Sequence, residues 1–597
     1  MNSSTTIWGF DAEFLPTGKK GNPANVHSVQ FSDGFNDHYF LETPQDLKSW
    51  LNNRRRTLKE IFGFNTLCDL GAMKEWLGEK NVEVVIYRGK LIGKIRYGGC
   101  TFKVYDSYPL LLNFGLRRLA DVGDIVGIPK LPKPLFLGLR KWETDNEHLQ
   151  FRAYALQDAI ITSLATRWLI EANQCDPRKH ASAGTLAKDY FSFPNRHKQS
   201  QNRVHMPPIE RAIGQNTNAG RSESFVTGYT PKVYYNDVKS LYPCSGLVTK
   251  ALMIDGVEEC NPEDLSINGD LNDPNYGWIH GKFNTSNKMW GLPIVAHNVT
   301  YVIGNVIGLF HTFDIASAKA KVVTSNKAFR PLFNKKRQTA HNKYVDLLTR
   351  RLEGKLDSRE SRFAKAVLNS TYGKLGQSHP EARTTNYPAY STILAHSHLI
   401  MSKLFDQSPT PILGMDTDSI FNQTDMTGEY GELTDGEHTI PLIMEVKGKG
   451  DLAMFRAKTY MIRDGDNPIR VFGRHTWNYF VEDFFSLWNR TEYPFISRIE
   501  VKHTLKTKQK KALELPLGFW CHKVVNLTEK KITTLLQADN KRERVSYDSF
   551  SLFQNRRNQN SEPYIMDKIL YDPEFDYPRK SYEKFEYLKI NRFQTSI

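Results

Sequence analysis

The chain has 597 residues, 24% of them charged and 40% hydrophobic, the ordinary balance of a soluble globular protein, and its net charge of +15 suits a polyanionic partner. Its six cysteines are scattered without C-x-x-C spacing, which excludes a cysteine-built zinc module or a disulfide framework and points to a reducing, cytoplasmic setting. The length exceeds what one core supports, so three or more domains or subdomains are expected, and no stretch reaches the length of a membrane span.

In chain order, the first predicted strand, Ile7-Trp8-Gly9-Phe10, delivers Asp11-Ala12-Glu13, and alternation along a strand points both carboxylates to one side. A second apolar run, Ile61 to Leu67, contains Asn65 and is closed by Asp69. In a third candidate stretch a fourth acid, Asp158, falls one helical turn after Tyr154 on a stripe formed by Phe151, Tyr154, Ala155 and Ala159. An acid on an apolar stripe is costly unless paired or metal-bound. Singly, each acid reads as a cap, a turn or a surface charge. Together Asp11, Glu13, Asp69 and Asp158 suit two metal ions roughly 3.5–4 Å apart, the arrangement that cleaves phosphodiesters. Residues 176–230, with Asn195-Arg196-His197-Lys198 and Asn216 to Arg221, read as a hinge with a basic surface or as a plain solvated linker.

Beyond the hinge, Val233, Tyr235 and Asp237 share a strand face, and the chain turns sharply at Ser240-Leu241-Tyr242-Pro243. Residues 244–330 alternate Gly, Asn and Pro turns with short β-like runs, as an inserted β-rich subdomain would. Lys335-Lys336-Arg337 is expected on a helix, and Asp357 with Glu360 is expected to form a capping box opening the next one. On that next helix Lys365, Asn369 and Tyr372 share a face that ends at Gly373, opposite Phe363 and Val367. Such a basic, amide and aromatic face suits a triphosphate and a base. The stretch Ile412 to Phe421 reads as two short strands joined by a tight turn, Asp416-Thr417-Asp418. Crowded carboxylates there repel unless a cation neutralises them, and Mg2+ prefers such oxygen ligands. Lys458-Thr459-Tyr460 follows, then a basic run, 502–511, that is either a nucleic-acid contact or a solvated face, and a Tyr-rich tail.

These motifs, in this order, resemble those of the family B DNA polymerases, and within them the protein-primed branch of phages, adenoviruses and linear plasmids. Asp237-x-x-Ser240-Leu241-Tyr242-Pro243, Lys365-x-x-x-Asn369-Ser370-x-Tyr372-Gly373 and Asp416-Thr417-Asp418-Ser419 resemble the three polymerase motifs, and Lys458-x-Tyr460 the K-x-Y motif. Asp11-x-Glu13, Asn65-x-x-x-Asp69 and Tyr154-x-x-x-Asp158 resemble the three exonuclease motifs. The resemblance implies an α/β multi-domain chain. A ribonuclease H-like 3′–5′ exonuclease domain would span 1–180 and a basic hinge 181–230. A right-hand polymerase would follow, with palm over 231–260 and 376–460, an inserted terminal-protein-region-like subdomain over 261–330, fingers over 331–375, and thumb with a C-terminal extension over 461–597.

It implies further that Asp237, Val238 and Asp418 hold two Mg2+ ions, with Mn2+ as substitute, that Asp416 assists, and that Asp11, Glu13, Asp69 and Asp158 hold two more. Lys365 would hold the incoming triphosphate, Tyr242 would exclude a ribose 2′-OH, Tyr372 would meet the nascent base pair, and Lys458 the primer terminus. Tyr154 would act in the exonuclease reaction. Ser240, Leu241, Asn369, Gly373, Thr417, Tyr460 and Asn65 would complete the substrate contacts. The implied partners are template and primer DNA, deoxynucleoside triphosphates and a terminal protein, with no membrane and a monomeric chain. A conventionally primed family B enzyme and a non-catalytic DNA-binding factor are the alternatives. Three departures stand out: Thr217-Asn218-Ala219-Gly220 stands where the family has Y-x-G-G, Cys68 where an aromatic usually precedes the exonuclease aspartate, and Phe14 where threonine is common.

Overall fold

The computed structural model describes residues 6–15, 25–87, 90–137, 141–172, 174–180, 182–196, 199–200, 203–204, 206–217, 220–295, 299–377, 384–464, 467–472, 477–479, 496–502, 528–534, 559–560 and 565–569. Two compact units result, one built mainly from Met1–Tyr190 with Asp357–Val367, the other mainly from Phe191–Leu356 and Leu368–Val501. The second unit holds two separate large sheets among the described residues.

In the first unit, seven strands among the described residues form one sheet: β1 (Gly9–Leu15), β2 (Asn25–Ser32), β3 (His38–Leu41), β4 (Glu60–Gly63), β5 (Val82–Tyr87), β6 (Lys90–Tyr97) and β7 (Cys100–Asp106). Their order is β3-β2-β1-β4-β7-β6-β5, with β4 parallel to both β1 and β7. Helices α1 (Pro44–Arg54), α2 (Leu67–Leu77), α3 (Tyr108–Asn113), α4 (Leu119–Val126), α5 (Asp145–Arg167) and α6 (Ala183–Tyr190) complete the unit. Alternation along β1 sends Phe10 and Ala12 into a core with Val29, Phe31, Leu47 and Ile61, each large apolar side chain contributing roughly 1.5–3 kcal/mol when fully buried. Gly9, Asp11 and Glu13 take the other face.

The second unit contains β8 (Gln199–Ser200), β9 (Arg203–Val204), α7 (Pro208–Asn216), β10 (Ser222–Ser224), β11 (Val226–Val238) and α8 (Leu241–Val248). β12 (Ile254–Cys260), β13 (Trp278–Thr285), β14 (Leu292–Val295), β15 (Val299–His311), α9 (Thr312–Ser317) and β16 (Lys321–Phe333) come next. Then follow α10 (Gln338–Leu352), α11 (Ser358–Leu375), whose residues as far as Val367 belong to the first unit, α12 (Tyr387–Asp406), β17 (Gly414–Asp416), β18 (Ser419–Asn422), β19 (Gly428–Thr434), β20 (Thr439–Arg456), β21 (Thr459–Asp464) and β22 (Asn467–Phe472). One sheet runs β10-β17-β18-β11-β20-β21-β22, and the other β12-β16-β13-β15-β14 around Phe283, Leu292, Val302 and Val306. α12 is buried along most of its length.

Several local expectations change. Asp69 lies in the first turn of α2, because the chain turns at Asn65 (φ 61°) and becomes helical at Leu67. Lys335–Arg337 form a short 3-10 turn ahead of α10, after β16 has run on to Phe333. The 181–230 hinge contains α6 and α7. Two of its arginines are buried instead of forming a basic surface: Arg196 pairs with Glu210 at 3.0 Å and Arg221 with Glu223 at 2.6 Å. The capping box of Asp357 and Glu360 is present, and Lys365 and Asn369 are exposed while Phe363 and Val367 are buried. No described helix is long and apolar enough to cross a membrane. His197, Lys198, Asn218, Ala219, residues 503–511 and the tail tyrosines lie outside the described residues.

Candidate active sites

The first site forms where α5 crosses the polar face of β1. A Cβ at Gly9 would lie 2.5 Å from both the Ala159 carbonyl oxygen and the Ser163 nitrogen, so only glycine allows this approach. The Ser163 hydroxyl donates to the Ile7 carbonyl at 2.8 Å and fixes the crossing. Asp158 is thereby carried to Asp11 and Glu13, and one carboxylate oxygen from each lies within 4.8 Å of the others. Asp69 is close enough for its charge to act on Asp11.

Burial and the neighbouring charges of Asp69, Glu13 and Asp158 push the Asp11 carboxyl well above its ordinary range. Glu13 is pushed up to about 7 by burial and then by Asp158. Two cations oppose this crowding: Lys133 acts on Glu13, and Lys130 acts on it too while pairing with Asp158 through Oδ2, its ammonium 4.7 Å from the Tyr154 ring centre. The other Asp158 oxygen, Oδ1, is buried without a partner. Burial and then the charges of Glu13 and Asp158 raise the Tyr154 hydroxyl, so it stays protonated. Asn65 is turned by Asp106, which accepts its backbone N–H at 2.9 Å and that of Tyr108 at 3.0 Å. Burial pushes Asp106 up to about 6.

The second site lies on three strands. Asp237 pairs in register with Ser419, and the backbone N–H of Val238 donates to the Asp418 carbonyl at 2.8 Å. Thr417 takes φ 71° at the turn, and its N–H donates to the Arg221 carbonyl at 2.7 Å. The Ser419 hydroxyl lies 2.6 Å from Asp237 Oδ1 and 3.5 Å from Asp418 Oδ1, bridging the two acids. Burial, then Asp237 and Asp416, push Asp418 up to about 7. Lys447 is 3.7 Å from Asp237 Oδ2.

Asp416 has a different environment. Its Oδ1 accepts from Ser222 at 2.9 Å and pairs with Lys458, and its Oδ2 accepts from the Tyr460 hydroxyl at 3.1 Å. Lys458 also donates to the Thr417 hydroxyl at 3.1 Å. Asp237 and Asp418 thus face each other across one serine, while Asp416 is held by a cation and three hydroxyls, the third being that of Thr417 at 3.3 Å.

Beside them Ser240 adopts φ 62°, accepts from Arg351 at 3.3 Å and starts α8 with Leu241 buried. Tyr242 stacks on Tyr372 at 4.3 Å between ring centres. A Cβ on Gly220 would fall 2.2 Å from the Tyr242 hydroxyl and 2.6 Å from Thr417 Cγ2. Of the expected face on α11, the structure joins Tyr372 to this site; Lys365, Asn369 and Gly373 are exposed. Lys130, Asp106, Ser222, Lys447, the bridging position of Ser419 and the packing of Gly220 did not emerge from the sequence. The one usable signal is the serine directly after Asp418, which lies on β18 opposite Asp237 of β11.

The mixed α/β fold matches DNA polymerase structures over most of the chain. These are structures of Phi29 DNA polymerase. The orthorhombic crystal form matches with 13% identity and a TM-score of 0.50, over 78% of this chain and 89% of that one. The complex with primer-template DNA and incoming nucleotide substrates matches with 13% identity and a TM-score of 0.51, over 76% and 87%. The complex with single-stranded DNA matches with 14% identity and a TM-score of 0.50, over 76% and 86%. No family model matches the sequence. No curated protein matches it either.

Proposed function

We propose that the chain is a template-directed DNA polymerase with a separate 3′–5′ exonuclease site. The observation that carries this reading is the pairing of Asp237 and Asp418 across Ser419, with Asp416 already held by Lys458, Ser222 and Tyr460. The donor chemistry at both sites fits Mg2+: all ligands are oxygens, Asp418 and Glu13 are driven toward protonation by burial and crowding, and Asp158 Oδ1 lacks any partner. Asp237, Asp418 and Val238 would hold the ions at one site, and Asp11, Glu13, Asp69 and Asp158 at the other. When bound, they supply charge stabilisation for an in-line displacement at phosphorus.

The chain's own groups do the rest. Lys458 and Tyr460 fix Asp416, so the turn presents Asp418 in one orientation. Tyr242, wedged between Tyr372 and Gly220, forms a rigid wall that admits a deoxyribose and excludes a 2′-OH. Lys365 and Asn369, both exposed on α11, are the groups proposed to contact the triphosphate. At the other site Tyr154, kept protonated, donates a hydrogen bond to the scissile phosphate or its attacking water, and Lys130 adds positive charge beside the leaving strand.

Protein priming belongs to this proposal. The sheet of β12 to β16 lies in the chain between Asp237 and α11, where protein-primed enzymes dock a terminal protein. A primer protein offers a side-chain hydroxyl in place of a 3′-OH. The test is incubation with labelled deoxynucleotide and Mg2+, with a primed template or with the product of a neighbouring gene. Template-directed extension is expected, together with covalent label on that product. No extension by the purified chain on any primed template would overturn the polymerase reading, and extension of RNA primers without protein labelling would replace protein priming by conventional priming.

A further inference from the structure

Away from both acidic sites, α10 meets the hairpin joining β19 to β20. Helix residue His341 places Nε2 2.7 Å from Asp435 Oδ2, and His438, at the hairpin tip, places Nδ1 3.3 Å from the same oxygen. One ligand atom from each residue lies within 4.8 Å of the others. The tip is fixed from within. Asp435 Oδ1 accepts the backbone N–H groups of Glu437 at 2.8 Å and His438 at 2.7 Å, and Thr434 Oγ1 donates to the His438 carbonyl at 2.9 Å. Asp435 therefore has one oxygen committed to backbone and the other aimed at two imidazoles.

We propose that His341, Asp435 and His438 bind a single divalent transition-metal ion, with Zn2+ as the probe of choice. Ligand bonds of roughly 2.0–2.2 Å in a tetrahedral shell need donor atoms roughly 3.3–3.6 Å apart; the His438–Asp435 pair already stands at 3.3 Å, and the His341–Asp435 pair, at 2.7 Å, has to open by a small side-chain shift on loading. Two imidazoles select Zn2+ and its neighbours over Mg2+, so the site does not compete for the ion of the acidic clusters. His341 and the Asp435 side chain are wholly buried, whereas His438 is 34% exposed, which leaves one side open for entry and for a water ligand. Among the described residues no cysteine takes part.

The consequence is mechanical. From the hairpin, β20 runs on to Glu445, which pairs in register with Asp237, and to Lys447, which touches the Asp237 carboxylate. An ion joining α10 to the start of β20 clasps the strand that flanks the second acidic site.

The test uses the full chain, stripped with chelator, loaded with Zn2+ in millimolar Mg2+ and desalted. About one equivalent of Zn2+ is expected in the wild type and in the Asp11→Ala/Glu13→Ala variant, with a raised melting temperature. His438→Gln, at the exposed tip, should lose both the bound ion and the shift while melting like the metal-free wild type. Co2+ in place of Zn2+ should give visible absorption bands in the wild type alone of that pair. A wild type that retains no ion, or a His438→Gln variant that retains as much, would show a hydrogen-bonded triad only and overturn the proposal.

Discussion

The two acidic sites solve one electrostatic problem by different means. The first collects its carboxylates from β1, α2 and α5, so its geometry depends on how closely a helix lies on a strand. The second collects them from neighbouring strands, so ladder hydrogen bonds and one αL turn set its geometry locally. In the first, Lys130 offsets the charge at Asp158. In the second, Lys458 sits on Asp416 and leaves Asp237 and Asp418 to crowd one another. A site built by tertiary packing is sensitive to the size of a residue at the crossing, and a site built on a sheet is sensitive to the residues that hold its turn.

The largest expected effect comes from the two acids bridged by Ser419. Asp237→Asn should lower primer extension at least about a thousandfold, a transition-state loss of ~4 kcal/mol, while single-strand digestion continues at the wild-type rate. Gly220→Ala should come next. The added methyl meets the Tyr242 hydroxyl and the Thr417 side chain, so steady-state assays should show deoxynucleotide incorporation falling by about tenfold or more and the ribonucleotide ratio rising. Unchanged incorporation would mean that Tyr242 is not the wall. At the first site, Gly9→Ala should cost about 1–3 kcal/mol in unfolding free energy by overpacking the crossing, and digestion should fall with it because Asp158 moves off Asp11.

Smaller, and absent at acid pH, is the pH effect. Asp418 and Glu13 both have folded values near 7, above the 3.8 and 4.5 of the unfolded groups. The folded chain therefore holds protons more tightly, and the stability these groups lend is fully present below about pH 4 and lost as pH rises through about 7. In chelator, Asp418→Asn should thus melt higher than the wild type above pH 7 and no higher at pH 4. Mg2+ should close the gap by stabilising the wild type. Tyr460→Phe is expected to be mildest, about tenfold on the turnover number with KM little changed, because its hydroxyl acts through Asp416 and not on substrate.

What was legible in the sequence follows the same division. Asp11 with Glu13, Tyr154 with Asp158, and the Asp416–Asp418 turn all announce themselves through short-range periodicity, which is fixed by strand and helix geometry alone. Asp69 closes an apolar run that does not show which element carries it, since a single αL residue, Asn65, decides where β4 ends and α2 begins. Lys130 was invisible because it reaches Asp158 from a loop 28 positions away that carries no periodic signal. Arg196 and Arg221 look like surface charge, and only tertiary packing reveals the acids that bury them. The carboxylate set of each site was therefore readable, and the cations, hydroxyls and glycines that condition it were not.

The central claim, two independent acidic sites in one chain, is tested most directly by a crossed assay. Asp418→Asn and Asp11→Ala/Glu13→Ala are each assayed for extension of a primed template and for digestion of a single strand, with folding checked by melting. The expected result is loss of extension alone in the first and loss of digestion alone in the second. Equal loss of both activities in either folded variant would contradict the account.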